Sequence, residues 1–513
     1  MTGRARTLRI VTALVALAMM GSALVAIRSA EERLSVRRTK VAGTPATIYR
    51  PAGDARGPAV VVAHGFAGSQ QLMQAFATTL ARSGYLAITF DFPGHGRNPK
   101  PLAGSITRED GATRALVAET SRIVDLALTL GDGRLALLGH SMASDIVVRV
   151  AAARPEATAT VAVSMFSPAV TPSSPRNLLV ISGEWEGMLR REALRAVGLV
   201  SAPATPEEGK TYGDVASGLA RRAAVSGSVE YVGVLYSQDG LREAVTWLDM
   251  SFARVRTDPP YLDRRGPWIL ILLAGAVLLA RPLAGLLPVV AAAPAGAGLG
   301  WRRLWLPLLA PAVATPLILR LVPTNVLPVL VGDYLAAHFA LYGLLTASCL
   351  LWVRRRGPSP VRIAASRAAL IAAASAAIAY GFVGLVWPID TYVTSFVAGG
   401  LRSVLVVAML AGTLSYVLAD EWLTRGRGSA RGGYAASKLA LLLSLALAVA
   451  LDFERLFFLI IILPVILLFF VVHGLFSSWI YGRTRHPFVA GVSNAVALAW
   501  AIGVTFPLLA AGG

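Results

Sequence analysis

Two kinds of hydrophobic pattern divide this chain. Between residues 40 and 250, short aliphatic runs alternate with amphipathic stretches. That is the pattern of strands buried on both faces with helices packed over them. The runs predict strands at Ala59–Ala63, Leu86–Phe90, 135–138, 160–163, 178–181 and 222–225. Helices are predicted near 70–83, 111–130, 142–153 and 188–197. This alternation predicts an α/β fold around a mostly parallel sheet. Elsewhere the apolar positions run on with little interruption. An N-terminal apolar segment covers residues 8–27, and eight more follow near 267–290, 304–321, 327–352, 364–387, 395–418, 436–451, 456–474 and 488–511. About 20 apolar residues suffice to cross a bilayer as a helix.

Composition sharpens this division. The 513 residues are 55% hydrophobic and 15% charged, too apolar for a single water-soluble globule. Residues 30–266 carry 27 Lys+Arg and 23 Asp+Glu, an ordinary balance, whereas residues 267–513 carry only 17 and 6. Prolines and charges between Arg254 and Pro267 interrupt both patterns and mark the boundary. The expected organisation is an N-terminal transmembrane anchor (1–29), an exported soluble domain (30–255) and a polytopic membrane domain of about eight helices (256–513). The single cysteine, Cys349, excludes an intrachain disulfide and any multi-cysteine metal site.

The net charge of +19 would suit nucleic acid if it lay on one exposed face. Instead it falls in alternate loops. Arg302 and Arg303, Arg354 to Arg356 with Arg362, Arg425, Arg427, Arg431 and Lys438, and Arg483 with Arg485 alternate with short neutral or acidic loops at 322–325, 388–391 and 452–454. Basic loops stay cytoplasmic, so the charge is largely a topology signal and no nucleic-acid partner is expected. The reading is a multi-pass protein of a bacterial inner membrane with residues 30–266 on the extracytoplasmic side. Arg4, Arg6 and Arg9 at the start of the first segment agree with it. Gly21-Ser22-Ala23 leaves a cleaved signal peptide as the competing reading of that segment. An uncleaved anchor is favoured because the apolar run is longer than a usual signal core.

In parallel sheets, chemistry gathers at the carboxyl ends of the strands. Those ends here read His64-Gly65-Phe66, Asp91 to Gly96, Gly139-His140-Ser141-Met142-Ala143 and Gly183-Glu184-Trp185-Glu186. In the third, an apolar strand leads through Gly139 to Ser141, and Met142 opens a helix. Such an elbow lifts a serine oxygen clear of the sheet and needs small residues two positions to either side, here Gly139 and Ala143. The Met142 N–H, with a second donor from the loop after His64-Gly65, would face a developing oxyanion.

His64-Gly65-Phe66-Ala67-Gly68, Asp91-Phe92-Pro93-Gly94-His95-Gly96 and Gly139-His140-Ser141-Met142 together resemble the α/β-hydrolase superfamily, most closely its lipase/esterase and serine-aminopeptidase-like members. The resemblance covers about residues 40–250. It implies a doubly wound sheet, a nucleophilic Ser141 and an oxyanion hole from the amides of Phe66 and Met142. By position after Gly183 it implies Glu186 as the catalytic acid, with Glu184 as the fallback. Reactions of this kind call for no cofactor and no metal. The base departs from the pattern: Tyr231 stands where the superfamily places its histidine, and no histidine lies between His140 and His338. A tyrosine, with an unperturbed pKa of about 10, is a poor base near neutrality.

Three readings follow. His64, His95 or His140 serves as a displaced base; or Ser141 works with water or Tyr231 at reduced rate; or the domain binds a ligand without turning it over. The first two describe a membrane-bound hydrolase of an ester, thioester or amide, small or lipid-like. The last describes a hydrolase-like binding domain on a membrane transport or assembly protein. Residues 187–220, rich in Gly, Pro and charge, suit either an insertion over the site or a solvated loop. In the membrane half, Asp333, His338 and Arg402 are the candidate functional ionisable residues inside spans, with Asp333 and Arg402 able to pair across helices and Arg320 to snorkel from a span end. A bundle this large exceeds what tethering needs, so it is expected to handle a lipid-soluble substrate or product, or to dock a partner. The identity of any protein partner is not legible.

Overall fold

The computed structural model describes residues 3–53, 56–104, 109–356 and 363–510, which leaves Arg362 outside the described residues. The chain forms two compact units. Residues 21–272, Ile389–Ser395 and the segment from Pro507 onward make one; the remaining residues make the other.

The first unit is built on a nine-stranded sheet. In chain order it holds β1 (Leu34–Val41), β2 (Thr44–Pro51), β3 (Ala59–Ala63), β4 (Leu86–Phe90), β5 (Leu135–His140), β6 (Ala157–Val163), β7 (Leu178–Gly183), β8 (Thr211–Tyr212) and β9 (Arg221–Ser226). The spatial order is β1-β2-β4-β3-β5-β6-β7-β9-β8. The six strands from β4 to β9 are parallel, and antiparallel pairs close both edges. All six predicted strands are present, most extended by one to three residues. The hairpin of β1 and β2 is an addition. Its outer strand carries Arg37, Arg38 and Lys40, charges that hide it from a hydrophobic reading and protect an edge strand from mispairing.

Strand geometry explains the double layer of helices. Successive residues point to opposite faces, so Val60 and Val62 of β3 join one core while Ala59, Val61 and Ala63 join the other. Helices α2 (Gln74–Arg82) and α6 (Gln238–Ser251) cover the first face, and α3 (Arg114–Leu130) with α4 (Met142–Ala153) cover the second. Each valine buried this way contributes about 1.5–3 kcal/mol. Residues 187–220 are neither a cap nor a plain loop. Their first half forms α5 (Gly187–Ser201), whose Ala193, Ala196 and Val197 pack against Val180 of β7 and Ala223 of β9. The rest returns through β8 to β9.

The second unit is helical. Counting from α1 (Gly3–Ser29), the chain continues after α6 with α7 (Arg265–Ala284), α8 (Trp301–Leu319), α9 (Gly332–Arg355), α10 (Arg367–Gly381), α11 (Trp387–Tyr392), α12 (Leu401–Thr424), α13 (Gly433–Leu451), α14 (Phe453–Leu456), α15 (Phe458–Thr484) and α16 (Pro487–Thr505). Among the described residues, eight helices are long and apolar enough to cross a membrane: α1, α7, α9, α10 running on into α11, α12, α13, α15 and α16. The segment expected near 304–321 forms α8 but is not among them. Arg302, Arg303 and three internal prolines, Pro307, Pro311 and Pro316, dilute its hydropathy. The last span ends at Thr505 rather than 511, because the residue before Pro507 is held extended (Phe506, ψ 146°).

Candidate active site

Ser141 lies between β5 and α4 with φ 56° and ψ −120°. Non-glycine residues rarely occupy that left-handed region, and such strain collects at functional turns. The neighbours explain how it is held. A Cβ on Gly139 would come within 2.4 Å of the Ala143 carbonyl oxygen, so strand and helix approach only because that position is glycine. Ala143 itself is fully buried, and alanine is small enough at the second position. The loop after β3 passes close above: a Cβ on Gly65 would stand 3.0 Å from the Ser141 Cβ and 3.0 Å from His140 Nδ1. The Gly65-Phe66 backbone therefore runs beside the serine, and Met142 opens α4, where a helix N-terminus favours negative charge.

Tyr231 is brought to Ser141. It lies in the loop after β9, and its hydroxyl hydrogen-bonds the Ser141 Oγ. Burial, with the Glu186 carboxylate nearby, raises its phenol above the ordinary value, so it is neutral near pH 7. Its ring leans on His140, centroids 4.8 Å apart, and His140 Nε2 donates to the Tyr231 carbonyl oxygen at 3.1 Å.

Glu186 is nearly buried at the end of β7. Its Oε2 accepts from the Gly183 N–H (2.6 Å) and the Ser164 hydroxyl (2.9 Å), while Oε1 is buried with no hydrogen-bond partner among the described residues. Burial raises its pKa. Glu184 turns away, accepting from the Ser228 N–H in an exposed turn. Ser164, held at φ 51° at the end of β6, escaped the sequence reading although it is a strand end like the others.

The three upstream histidines are occupied by the backbone. His64 Nδ1 donates to the Gly65 carbonyl oxygen (2.8 Å), and its Nε2 accepts from the Phe92 N–H (3.1 Å). His95 Nδ1 donates to the Pro93 carbonyl oxygen (2.9 Å). Burial lowers the pKa of both His64 and His140 to about 4, so each ring is neutral and serves to shape a loop. Asp91 does similar work as a buried carboxylate. It accepts from the backbone N–H and side chain of Gln70 (2.8 and 2.9 Å) and from the Arg97 N–H (3.0 Å).

In the helical unit, Arg402 donates to the carbonyl oxygens of Gly503, Val504 and Phe506. Asp333 accepts from the Tyr334 N–H at the start of α9, and His338 bridges the hydroxyls of Tyr334 and Ser444. A Lys438–Asp420 pair, which the loop-by-loop charge reading did not identify, is buried between α12 and α13.

The model of the alpha/beta hydrolase fold matches residues 58–206. Together with the sheet order, this identifies the first unit as an α/β-hydrolase fold. Among solved structures, an epoxide hydrolase from Vigna radiata is 26% identical over 27% of this chain and 40% of its own, with a TM-score of 0.22. The chain thus spans less than half of that enzyme. A hypothetical protein from Pseudomonas aeruginosa is 12% identical over 43% of this chain and 94% of its own, with a TM-score of 0.33. A predicted CIB-like hydrolase from Thermoplasma acidophilum is 16% identical over 43% and 98%, also at 0.33. No curated protein matches the chain.

Proposed function

We propose that this protein is a membrane-bound serine hydrolase of the α/β-hydrolase type, acting on an ester, thioester or amide. The observation that carries the reading is the strained Ser141 whose Oγ meets the hydroxyl of Tyr231. Ser141 Oγ attacks the carbonyl carbon, and the amides of Phe66 and Met142 receive the oxyanion. Tyr231 accepts the serine proton in its phenolate form and returns it to the leaving group. Glu186 lies close enough to bias that proton. Because the phenolate is scarce near neutrality, turnover is slow at pH 7 and climbs through the alkaline range.

An apolar rim supports a lipid-derived substrate. Phe166, Trp185, Met188 and Val232 are exposed in the segments that follow β6, β7 and β9. The extracytoplasmic placement draws support from chain topology. Ile389–Ser395 and the segment from Pro507 onward belong to the same compact unit as residues 21–272, and with α8 taken as a further crossing the alternation of basic loops puts all three on one side. The neutral phenol over Ser141 favours a second reading, a binding domain that does not turn its ligand over.

A fluorophosphonate probe separates the two. The intact chain is expected to be labelled at Ser141 and the Ser141→Ala variant not at all. Labelling that does not rise between pH 7 and pH 10, or none at either, overturns the enzyme reading.

A further inference from the structure

The loop that carries the Phe66 amide is gripped by a distant piece of the chain. Ser69 hydrogen-bonds the Thr394 hydroxyl (3.0 Å) and accepts from the Ser395 N–H (2.8 Å). The Gln71 amide donates to the Asp390 carbonyl oxygen (3.0 Å) and accepts from the Ser395 hydroxyl (3.0 Å). Gln74 donates to the Thr391 carbonyl oxygen (3.2 Å). Arg97 closes the ring, pairing with the Asp390 carboxylate at 2.6 Å. From within, Asp91 ties Gln70 to the backbone of Arg97. Ser69, Gln71 and Gln74 thus each hydrogen-bond residues 390–395, and Ser69, Gln71, Asp390 and Ser395 are all buried.

Ala67 sits at φ 54°, and a tight turn, Gly68 N–H to Gly65 carbonyl oxygen at 3.1 Å, joins the gripped segment to the backbone beside Ser141. A donor displaced by a fraction of an ångström stabilises an oxyanion poorly, since the benefit lies in fixed geometry.

We propose that Asp390, Thr394 and Ser395, acting through Ser69, Gln71 and Arg97, are positioning residues for the oxyanion hole. On this view residues 30–266 alone form an incomplete enzyme, finished by the end of α11 and the connector that follows it. The inference rests on the serine-hydrolase reading above.

The test uses the full chain in detergent, comparing wild type, Asp390→Ala, Gln71→Ala and the exchange pair Arg97→Asp with Asp390→Arg. With 4-nitrophenyl butyrate, both alanine variants are expected to lower kcat by about tenfold with KM within about twofold, and the exchange pair to regain most of the loss relative to Arg97→Asp alone. Hydrogen exchange of the amides of residues 66–72 is expected to quicken in both alanine variants. Wild-type kcat together with unchanged exchange overturns the proposal, and so does an equal fall in activity in which KM alone moves. Faster exchange in a chain that Ser141-directed probes never label would sink the enzyme reading and the oxyanion-hole role with it, leaving only the hold of residues 390–395 on the loop.

Discussion

The two units solve the same problem, holding helices and strands in register, with opposite uses of space. In the α/β unit, bulky aliphatic side chains fill both faces of the sheet, and the exposed large apolar groups include Phe166, Trp185, Met188 and Val232 in the segments after β6, β7 and β9. In the helical unit, large apolar groups such as Val404, Val407, Leu443 and Leu468 are exposed along the helices, and the contacts between helices depend on missing side chains. A Cβ on Gly343 of α9 would lie 2.3 Å from the Ser415 backbone of α12. One on Gly412 of α12 would lie 2.3 Å from the Ala336 carbonyl oxygen of α9. Where the surroundings are as apolar as the interior, burial supplies no drive between helices and close approach must replace it. One unit is therefore most sensitive to subtraction, the other to addition.

The largest expected effect tests the chemistry of the first unit. Tyr231→His should raise the fluorophosphonate labelling rate at pH 7 by about 10²-fold or more, the usual scale of a well-placed general base. It should also replace the alkaline climb with a plateau above the histidine pKa. An unchanged rate and profile would mean that Tyr231 is not in the base position.

Next comes the buried charge at the start of α7. Arg265 is enclosed with Asp263 (2.7 Å), Thr78 and Gln74. Arg265→Ala leaves the Asp263 carboxylate buried without its partner and should cost about 3–5 kcal/mol in denaturant unfolding. A loss below about 1 kcal/mol would show that the pair contributes little.

The contrast between subtraction and addition is sharpened by a pair of variants in α12. Gly412→Leu should cost about 1–3 kcal/mol or more through overpacking against α9. Val407→Ala, at a site 70% exposed, should stay within about 0.5 kcal/mol. Equal effects on the thermal midpoint would abolish the distinction.

The smallest effect concerns acid stability. His64 and His140 are held neutral to about pH 4, whereas an unfolded histidine protonates near 6.5. Their contribution is complete above pH 6.5 and is lost as the pH falls towards 4. Protonation of the buried Asp91 and Glu186, whose values are raised, works in the opposite sense. His140→Asn should therefore lose less stability than wild type between pH 7 and pH 4, by roughly 2 kcal/mol. An identical decline would show that His140 is not buried in its neutral form.

The sequence by itself determined the features that depend on neighbours along the chain. The central parallel strands were legible because residues buried on both faces must be aliphatic without interruption, and the elbow because glycine at 139 and alanine at 143 bracket a serine between a strand and a helix. The apolar helices were legible from length alone. Edge strands β1 and β8 were not, since one side of each meets solvent and tolerates charge. The placement of Tyr231 over Ser141 was suggested by its position after the last long strand, but the hydrogen bond between them exists only because β9 and β5 end on the same side of the sheet. What no local pattern could show is the grip of Ile389–Ser395 on Ser69 and Gln71. These residues are more than 300 positions apart, and short polar side chains in a loop look the same whether water or a distant backbone completes their hydrogen bonds. Only tertiary structure decides which of the two it is, because a buried polar group must find a partner wherever the fold brings one.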